Sequence, residues 1–256
     1  MPLSVVLITR NAAAQLPECL ASVAFADEVV VVDSGSSDGT PEVAARYGAR
    51  VLTTEWLGFG RQKQFAVTQA AHDWVLCLDA DERVSPELAA SLVRALDAPT
   101  TRAYLMARRN RFLGRWLRHG EGYPDWSLRL FDRRHARWSE DEVHEKVIYI
   151  DSPGAPLGTL AGDLLHESGE DLERYLDKQN RYTALAAKEL HRRGQQAGLP
   201  RLILSPLLRF FKFYFLRLGF LDGMPGLVHI SIGCMNSFMK YAKLIELTRM
   251  ERIEGR

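Results

Sequence analysis

The chain has 256 residues, 46% of them hydrophobic and 25% charged, which is an ordinary composition for a soluble globular protein. This length suits one large domain, or one domain with a tail. The net charge of +1 excludes a general preference for nucleic acid, so any specialised charge must be local. Cys19, Cys77 and Cys234 are odd in number and widely spaced, which favours reduced thiols over disulfides or a zinc site.

The two ends of the chain carry few signals of targeting. The N-terminal stretch "MPLSVVLITRN" has no basic region before its apolar residues, which predicts a first strand rather than a signal peptide. No uncharged apolar run reaches about 18 residues, so a conventional membrane-spanning helix is not expected. The last four residues, "IEGR", match a protease-cleavage linker, and we expect 253–256 to be a cloning remnant.

Strands and helices are predicted to alternate through the first hundred residues. Continuous apolar runs typical of strands covered on both faces are "SVVLITR", "DEVVVVD", "RVLTT" and "WVLCL". The segments between and after them have helical spacing or helix-start signals: "LPECLASVA", "PEVAARYG", "RQKQFAVTQAA" and, after Ser85, "PELAASLVRAL". This alternation predicts βαβ units, a mostly parallel sheet and hence an α/β fold.

Polar and acidic residues follow three of these predicted strands. The first strand ends at Thr9 and Asn11, the second at Asp33, and the fourth at Asp79 and Asp81. Ligands of parallel sheets collect beyond the carboxyl ends of the strands. A lone D-x-D is most simply a solvated turn, but two carboxylates at a strand end also suit Mg²⁺ or Mn²⁺ shared with a diphosphate. The repeated polar ends favour the second interpretation.

The pattern changes after Thr101. "AYLMARRN", "SLRLFDR" and "KVIYI" predict strands of a mixed region, and residues 170–193 predict a helix before a linker at 194–200. Residues 201–221, "RLILSPLLRFFKFYFLRLGFL", place Arg209, Lys212 and Arg217 in one sector of a helix and aromatic or aliphatic residues around the rest. Such a helix can lie in a membrane interface, although a core or oligomer-interface helix is the alternative.

Several motifs together resemble one family. "SVVLITRN", "EVVVVDSGSSDGT" and "WVLCLDADE" resemble the inverting GT-A glycosyltransferases of family 2. Six further stretches resemble one branch of this family, the branch similar to lipopolysaccharide-core glucosyltransferases. They are "GFGRQKQFA", "YPDWSLRLF", "VHEKV", "LLHES", "YLDKQNRY" and "LGFLDGMPGL". The resemblance implies a GT-A domain over 1–168, followed by a C-terminal helical region over 169–252. The amphipathic pattern of 201–221 favours a membrane-associated position for that region.

The resemblance also implies an activity and its partners. The donor would be a nucleotide-diphosphate sugar, with UDP-glucose favoured, and the cofactor Mg²⁺ or Mn²⁺. The acceptor would be a lipid-linked or lipopolysaccharide-core saccharide. The protein is then expected in the cytoplasm, peripheral on the cytoplasmic face of the inner membrane, with no nucleic-acid partner.

The resemblance assigns donor and metal roles residue by residue. Thr9, Asn11 and Asp33 would hold the nucleoside, while Asp38 either contacts the ligand or only forms a turn with Gly39. Asp79 would lie near the ribose or the metal. Asp81 is the better metal ligand, and His166 either completes the metal or phosphate site or is a hydrogen-bonded structural histidine.

Inverting transfer also needs a general base and a clamp for the diphosphate. "SEDEVHEK" offers four acids, of which the resemblance favours Glu145 as base, with Asp141 second. Arg129, with Lys63 and Arg61, could clamp the leaving diphosphate, and Arg129 is favoured because it lies between Leu128 and Leu130. Two rival functions remain open: a sugar nucleotidyltransferase, and a non-catalytic nucleotide-binding scaffold.

Overall fold

A computed structural model describes residues 1–140, 145–151, 154–169 and 171–254. Its first hundred residues alternate strands and helices, as the apolar runs predict. The strands are β1 Leu3–Thr9, β2 Glu28–Asp33, β3 Arg50–Thr53, β4 Trp74–Asp79 and the short β5 Glu82–Val84. The helices are α1 Leu16–Ala21, α2 Thr40–Arg46, α3 Phe59–Gln69 and α4 Pro86–Asp97. The predicted cap of α4 is confirmed, because Ser85 Oγ accepts a hydrogen bond from Leu88 N.

The remaining elements include six strands and three α-helices in the described part of the chain. The strands are β6 Ala103–Phe112, β7 Arg115–Trp116, β8 Asp125–Asp132, β9 Ala136–Trp138, β10 Val147–Tyr149 and β11 Gly158–His166. The helices are α5 Leu172–Arg192, α6 Leu199–Phe210 and α7 Gly223–Glu254. A π-helical turn over Phe211–Leu216 and a 3₁₀ turn over Gly219–Asp222 connect α6 to α7.

The main sheet has the strand order β3-β2-β1-β4-β8-β6-β11-β5, with β7 paired to β6. The first four of these strands are mutually parallel, and β4–β8, β8–β6 and β11–β5 pair antiparallel. Thr9 is in register with Asp33, and Ile8 with Asp79. The carboxyl ends of β1, β2 and β4 therefore meet at one edge, and the predicted α/β fold class is confirmed.

Apolar clusters cover the parallel strands on both faces. Leu7 and Leu76 face a cluster that includes residues of α1, α2 and α4, while Val6 and Cys77 face a cluster with residues of α3 and β9. This two-sided burial explains why the strands are continuous apolar runs. It also fixes the strand ends, where the polar side chains lie.

The chain divides into two compact units. The first comprises 1–109 and 125–167, and the second comprises 110–124 and 168–256. The second unit therefore includes an internal segment, 110–124, that sequence analysis assigned to the first domain. Within this unit α7 packs against α5 and α6, with Ser205 Oγ 2.7 Å from Ser237 Oγ.

The prediction of one continuous amphipathic helix over 201–221 is wrong in one respect. The α-helix ends at Phe210 and continues as a π-helical turn, and Leu218 then has a φ of 54°, which breaks the helix. Within the described ranges, no helix alone meets the length and hydropathy expected of a membrane span. In those ranges, the length and hydropathy of a span are reached only by two helical segments taken together, Leu199–Leu216 and Gly219–Glu251, which are bent by 74° relative to each other.

Candidate active site

Asp33 ends β2 as a buried carboxylate held by three donors. Thr9 Oγ1 donates to Asp33 Oδ2 over 3.0 Å, and the backbone N and Oγ of Ser36 donate over 2.8 and 2.5 Å. Only 1% of Asp33 is exposed. The parallel register of β1 and β2 thus joins two of the three predicted nucleoside-binding residues, Thr9 and Asp33.

Asn11 and Asp38 tie together the loops that follow β1 and β2. Asn11 N donates to Ser36 Oγ over 2.7 Å, and Asn11 Oδ1 accepts from Ser37 N over 2.9 Å. Asp38 accepts from Ala13 N and from both N and Oγ1 of Thr40, and the Thr40 hydroxyl lowers the pKa of this carboxyl. These contacts match the turn role of Asp38, and its exposed position leaves ligand contact as a prediction.

Asp81 and His166 meet where β5 pairs with β11. The antiparallel register sets His166 opposite Glu82, and Glu167 N donates to the carbonyl of Asp81 over 3.0 Å. His166 Nε2 then lies 3.3 Å from Asp81 Oδ2. The carboxylate is a chemically suitable ligand for Mg²⁺ or Mn²⁺, whereas the imidazole suits a transition-metal ion better than Mg²⁺.

The described residues do not provide a complete set of protein ligands for a metal ion. Among the described residues, no group of three His, Cys, Asp or Glu side chains is arranged to hold a metal ion. A metal ion held by Asp81 and His166 would need its remaining ligands from substrate phosphate and water.

Asp79 is held by two cations. Its Oδ1 lies 3.2 Å from Lys63 Nζ, and its Oδ2 lies 2.8 Å from Arg129 Nη2. Burial alone would raise the pKa of Asp79, but the charges of Arg129 and Lys63 outweigh it and hold this pKa well below its usual range. Asp79 is therefore ionised at neutral pH with both oxygens engaged, and its metal role stays a prediction.

Glu82 is a functional candidate that sequence reasoning did not assign. Its side chain is fully buried, and Oε2 accepts a hydrogen bond from Asp79 N over 3.0 Å. Its Oε1 lies 2.9 Å from Arg129 Nη2 and 3.5 Å from Arg108 Nη1. The buried carboxylate thus joins two arginines from β6 and β8 to the end of β4. The sequence signal was a third acid directly after D-x-D.

Alternating charges extend through the first unit. Arg108 Nη2 lies 2.6 Å from Asp125 Oδ2 at one end, and Lys63 Nζ lies 3.1 Å from Glu145 Oε1 at the other. We call this series the charge ladder, and its members in order are Asp125, Arg108, Glu82, Arg129, Asp79, Lys63 and Glu145. Opposite charges at successive positions compensate one another, which matters most for the buried members Glu82, Arg129 and Lys63.

The ladder brings the favoured base, Glu145, to the donor edge. One ammonium group, Lys63 Nζ, contacts both Glu145 and Asp79, and it lies 4.8 Å from the ring centroid of Trp138. Trp138 is itself anchored, because its Nε1 donates to Cys77 Sγ over 3.3 Å. Asp141, the second candidate base, lies outside the described residues, and Arg61 is exposed.

Replacing Glu82 with glutamine should destabilise the fold. The buried Arg129 and the partly exposed Arg108 would lose their shared negative partner, so we expect the free energy of unfolding to fall by about 3–5 kcal/mol. Urea denaturation followed by circular dichroism measures this. The matched control is Glu87→Gln in the exposed first turn of α4, which should cost less than about 1 kcal/mol. Equal losses in both variants would mean that the ladder contributes no special stability.

The chain is similar to several known proteins over most of its length. A solved structure, mannosyl-3-phosphoglycerate synthase from Rubrobacter xylanophilus, is 18% identical over 78% of this chain and 77% of its own, with a TM-score of 0.49. An uncharacterized glycosyltransferase of Rickettsia prowazekii is 30% identical over 96% of this chain and 87% of its own. The lipopolysaccharide core biosynthesis glycosyltransferase LpsC of Rhizobium meliloti is 30% identical over 96% and 93%.

The family assignment follows from the extent of these matches. The sequence profile of the family described as glycosyl transferase family 2 matches residues 4–148, which extend from β1 into β10 and include every member of the charge ladder. The two relatives extend the similarity over nearly the full chain. Both are glycosyltransferases by name, which favours this activity over a nucleotidyltransferase or a scaffold. The chain is a glycosyltransferase and belongs to family 2.

Proposed function

We propose that the protein transfers a hexosyl group, with inversion, from a nucleotide-diphosphate sugar to a hydroxyl of a lipid-linked or lipopolysaccharide-core saccharide. UDP-glucose is the favoured donor. The observation that carries the proposal is the placement of Glu145 and Asp79 on a single Lys63 ammonium, since it puts a candidate base beside the donor edge of the sheet. The similarity to LpsC supports the acceptor class.

The donor would bind along the carboxyl ends of β1, β2 and β4. Asp33, oriented by Thr9, would contact the base, with Asn11 and Asp38 in the adjoining loops. Arg129 and Lys63 would contribute positive charge near the diphosphate, in addition to their contacts with Asp79. Asp81 and His166 would hold Mg²⁺ or Mn²⁺. When bound, the metal supplies a Lewis acid that neutralises the leaving diphosphate.

The reaction is then an in-line displacement. The acceptor oxygen attacks the anomeric carbon, the bond to the diphosphate oxygen breaks, and Glu145 takes the proton of the attacking hydroxyl. Lys63 orients Glu145 through the 3.1 Å contact. Asp141 is the alternative base. A positioned carboxylate in this role typically contributes about 10²–10⁴-fold to the rate.

The acceptor would be reached at a membrane surface. The second unit exposes many large apolar side chains along α6 and the turns after it, among them Leu204, Leu208 and Phe211. Exposed apolar surface of this kind, next to basic residues, is typical of proteins that lie in a bilayer interface. We therefore propose a peripheral position on the cytoplasmic face of the inner membrane.

A thermal-shift screen of nucleoside diphosphates and nucleotide sugars, with and without Mn²⁺ or Mg²⁺, tests the donor. A donor at about 100 times its Kd stabilises the folded state by about 2.7 kcal/mol, which should raise Tm by about 5–10 °C for a chain of this size. We expect UDP and UDP-glucose to do so with metal present. A shift with another nucleotide sugar but none with UDP or UDP-glucose would rule out UDP-glucose as the donor.

A further inference from the structure

The turn between α6 and α7 presents a set of apolar side chains to solvent. Leu216 is 67% exposed and Met224 is 70% exposed. We call this set the apolar bend, and its members are Leu216, Leu218, Phe220, Leu221 and Met224. We propose that the apolar bend, with the arginines around it, is a docking surface for an anionic phospholipid bilayer. This deepens the membrane part of the proposed function and rests on it.

Close backbone packing prevents the apolar bend from collapsing inward. A Cβ atom added to Gly219 would lie 2.3 Å from Ile230 Cδ1 and 2.7 Å from Phe213 O, so no side chain fits there. A Cβ added to Gly120 would lie 3.2 Å from Gly219 Cα. Leu218, between these contacts and the π-helical turn, has a positive φ of 54°. The backbone around Gly219 is thus held in place by close packing, and the apolar side chains of the bend stay exposed to solvent.

A buried carboxylate holds a second segment beside the apolar bend. Asp222, 1% exposed, accepts hydrogen bonds from the backbone N of Arg118 and His119 over 2.9 and 2.8 Å. Arg115 Nη2 donates to Leu221 O over 3.1 Å, and Gly120 N donates to Arg217 O over 2.8 Å. Residues 115–120 therefore lie against the turn that carries the apolar side chains.

The charge around the apolar bend is positive. Residues 110–124 and 199–224 contain seven arginines or lysines and two acids, Glu121 and Asp222. Glu121 pairs with Arg209, and Asp222 is buried. Of the exposed cations, Arg201 lies in the first turn of α6, and Arg115 Nε lies 3.8 Å from Asp222 Oδ1. We call the other exposed cations the basic rim, and its members are Arg111, Arg118, Lys212 and Arg217.

The combination of exposed apolar side chains and positive charge indicates which kind of partner this surface would bind. Phospholipid headgroups of an anionic bilayer attract a cationic rim, while the acyl boundary accepts apolar side chains such as those of the bend. Arg209, which sequence analysis placed on the membrane-facing basic sector, is instead occupied by Glu121. The basic rim replaces part of that sector with arginines of 111–118. The bilayer is therefore the partner whose chemistry matches both halves of the surface.

Co-sedimentation with vesicles tests the proposal on the full chain. Wild-type protein should bind vesicles of phosphatidylcholine with phosphatidylglycerol more tightly than phosphatidylcholine alone, and less tightly as salt rises. The double variant Leu216→Glu, Met224→Glu should bind both vesicle types at least about 10-fold more weakly, because it loses two buried apolar side chains. The double variant Arg118→Ala, Lys212→Ala should lose about 10- to 30-fold on anionic vesicles only.

Matched controls are Leu185→Glu on α5, where the leucine is 40% exposed, and Arg46→Ala on α2. Both should bind vesicles as the wild type does, and all variants should keep the wild-type Tm. The docking-surface proposal is overturned if the bend and control variants lose vesicle affinity equally, or if the wild-type protein does not bind vesicles. A concentration-dependent dimer that the bend variants abolish without any vesicle binding also overturns it.

One further measurement distinguishes failure of the docking-surface proposal from failure of the proposed function. Release of UDP from UDP-glucose, measured without vesicles, should be the same in wild-type protein and in the bend variants. Turnover without vesicle binding would overturn the docking surface and leave the transferase intact. Vesicle binding that depends on the bend, without release of UDP from UDP-glucose, would overturn UDP-glucose as the donor and support the docking surface.

Discussion

Alanine at position 81 should lower metal-dependent transfer by at least about 100-fold. Replacing groups that merely support a metal ligand typically costs 10- to 100-fold, and Asp81 is proposed as a ligand itself. His166, 3.3 Å away, would then be the remaining protein ligand of the pair. Steady-state release of UDP at increasing Mn²⁺ measures the loss.

Binding separates the metal role of Asp81 from a general defect. Calorimetric titration with UDP should show tighter binding with Mn²⁺ in the wild type, and this difference should vanish in Asp81→Ala. The control Asp97→Ala changes an exposed acid at the end of α4 and should leave both measurements unaltered. Normal turnover together with a normal Mn²⁺ titration in Asp81→Ala would rule out the metal role.

Glutamine at position 145 should abolish transfer but preserve donor binding. The amide oxygen can still accept the hydrogen bond of Lys63, but it cannot take a proton, so kcat should fall by about 10²–10⁴-fold. The Kd for UDP with Mn²⁺ should stay within about twofold of the wild type, since the contact that orients the side chain remains. Stopped assays of glycosyl transfer and calorimetry measure the two quantities.

Matched carboxylate variants distinguish the base from a structural anchor. Glu140→Gln, at an exposed acid that pairs with Arg137, is the control and should keep wild-type transfer and wild-type UDP binding. If Asp141→Asn loses transfer and Glu145→Gln does not, Asp141 is the base.

The donor edge could be predicted from local sequence because it depends on parallel strands. Each apolar run and the polar residue after it are contiguous, and parallel pairing brings such ends together without further information. The register of Thr9 with Asp33 and of Ile8 with Asp79 confirms that expectation. The catalytic roles of these residues remain predictions.

The charge ladder and the apolar bend could not be predicted in the same way. Arg108 reaches Glu82 only because β6 and β8 join the sheet antiparallel, and long-range pairing of this kind leaves no local pattern. The break at Leu218 depends on glycines packed against another segment, whereas helical periodicity continues across it. Helical spacing alone therefore predicted one helix where the structure has three pieces.

The charge ladder also constrains how this sequence can vary. A change of sign at one position, such as Glu82, leaves like charges side by side with Arg108 and Arg129, and the resulting repulsion is felt at both. Exchanging the charges of Glu82 and Arg129 does not restore alternation either, because it leaves like charges beside Arg108 and beside Asp79. We therefore expect substitutions at 82, 108 and 129 to be strongly non-additive, so that these positions would change together or remain as they are.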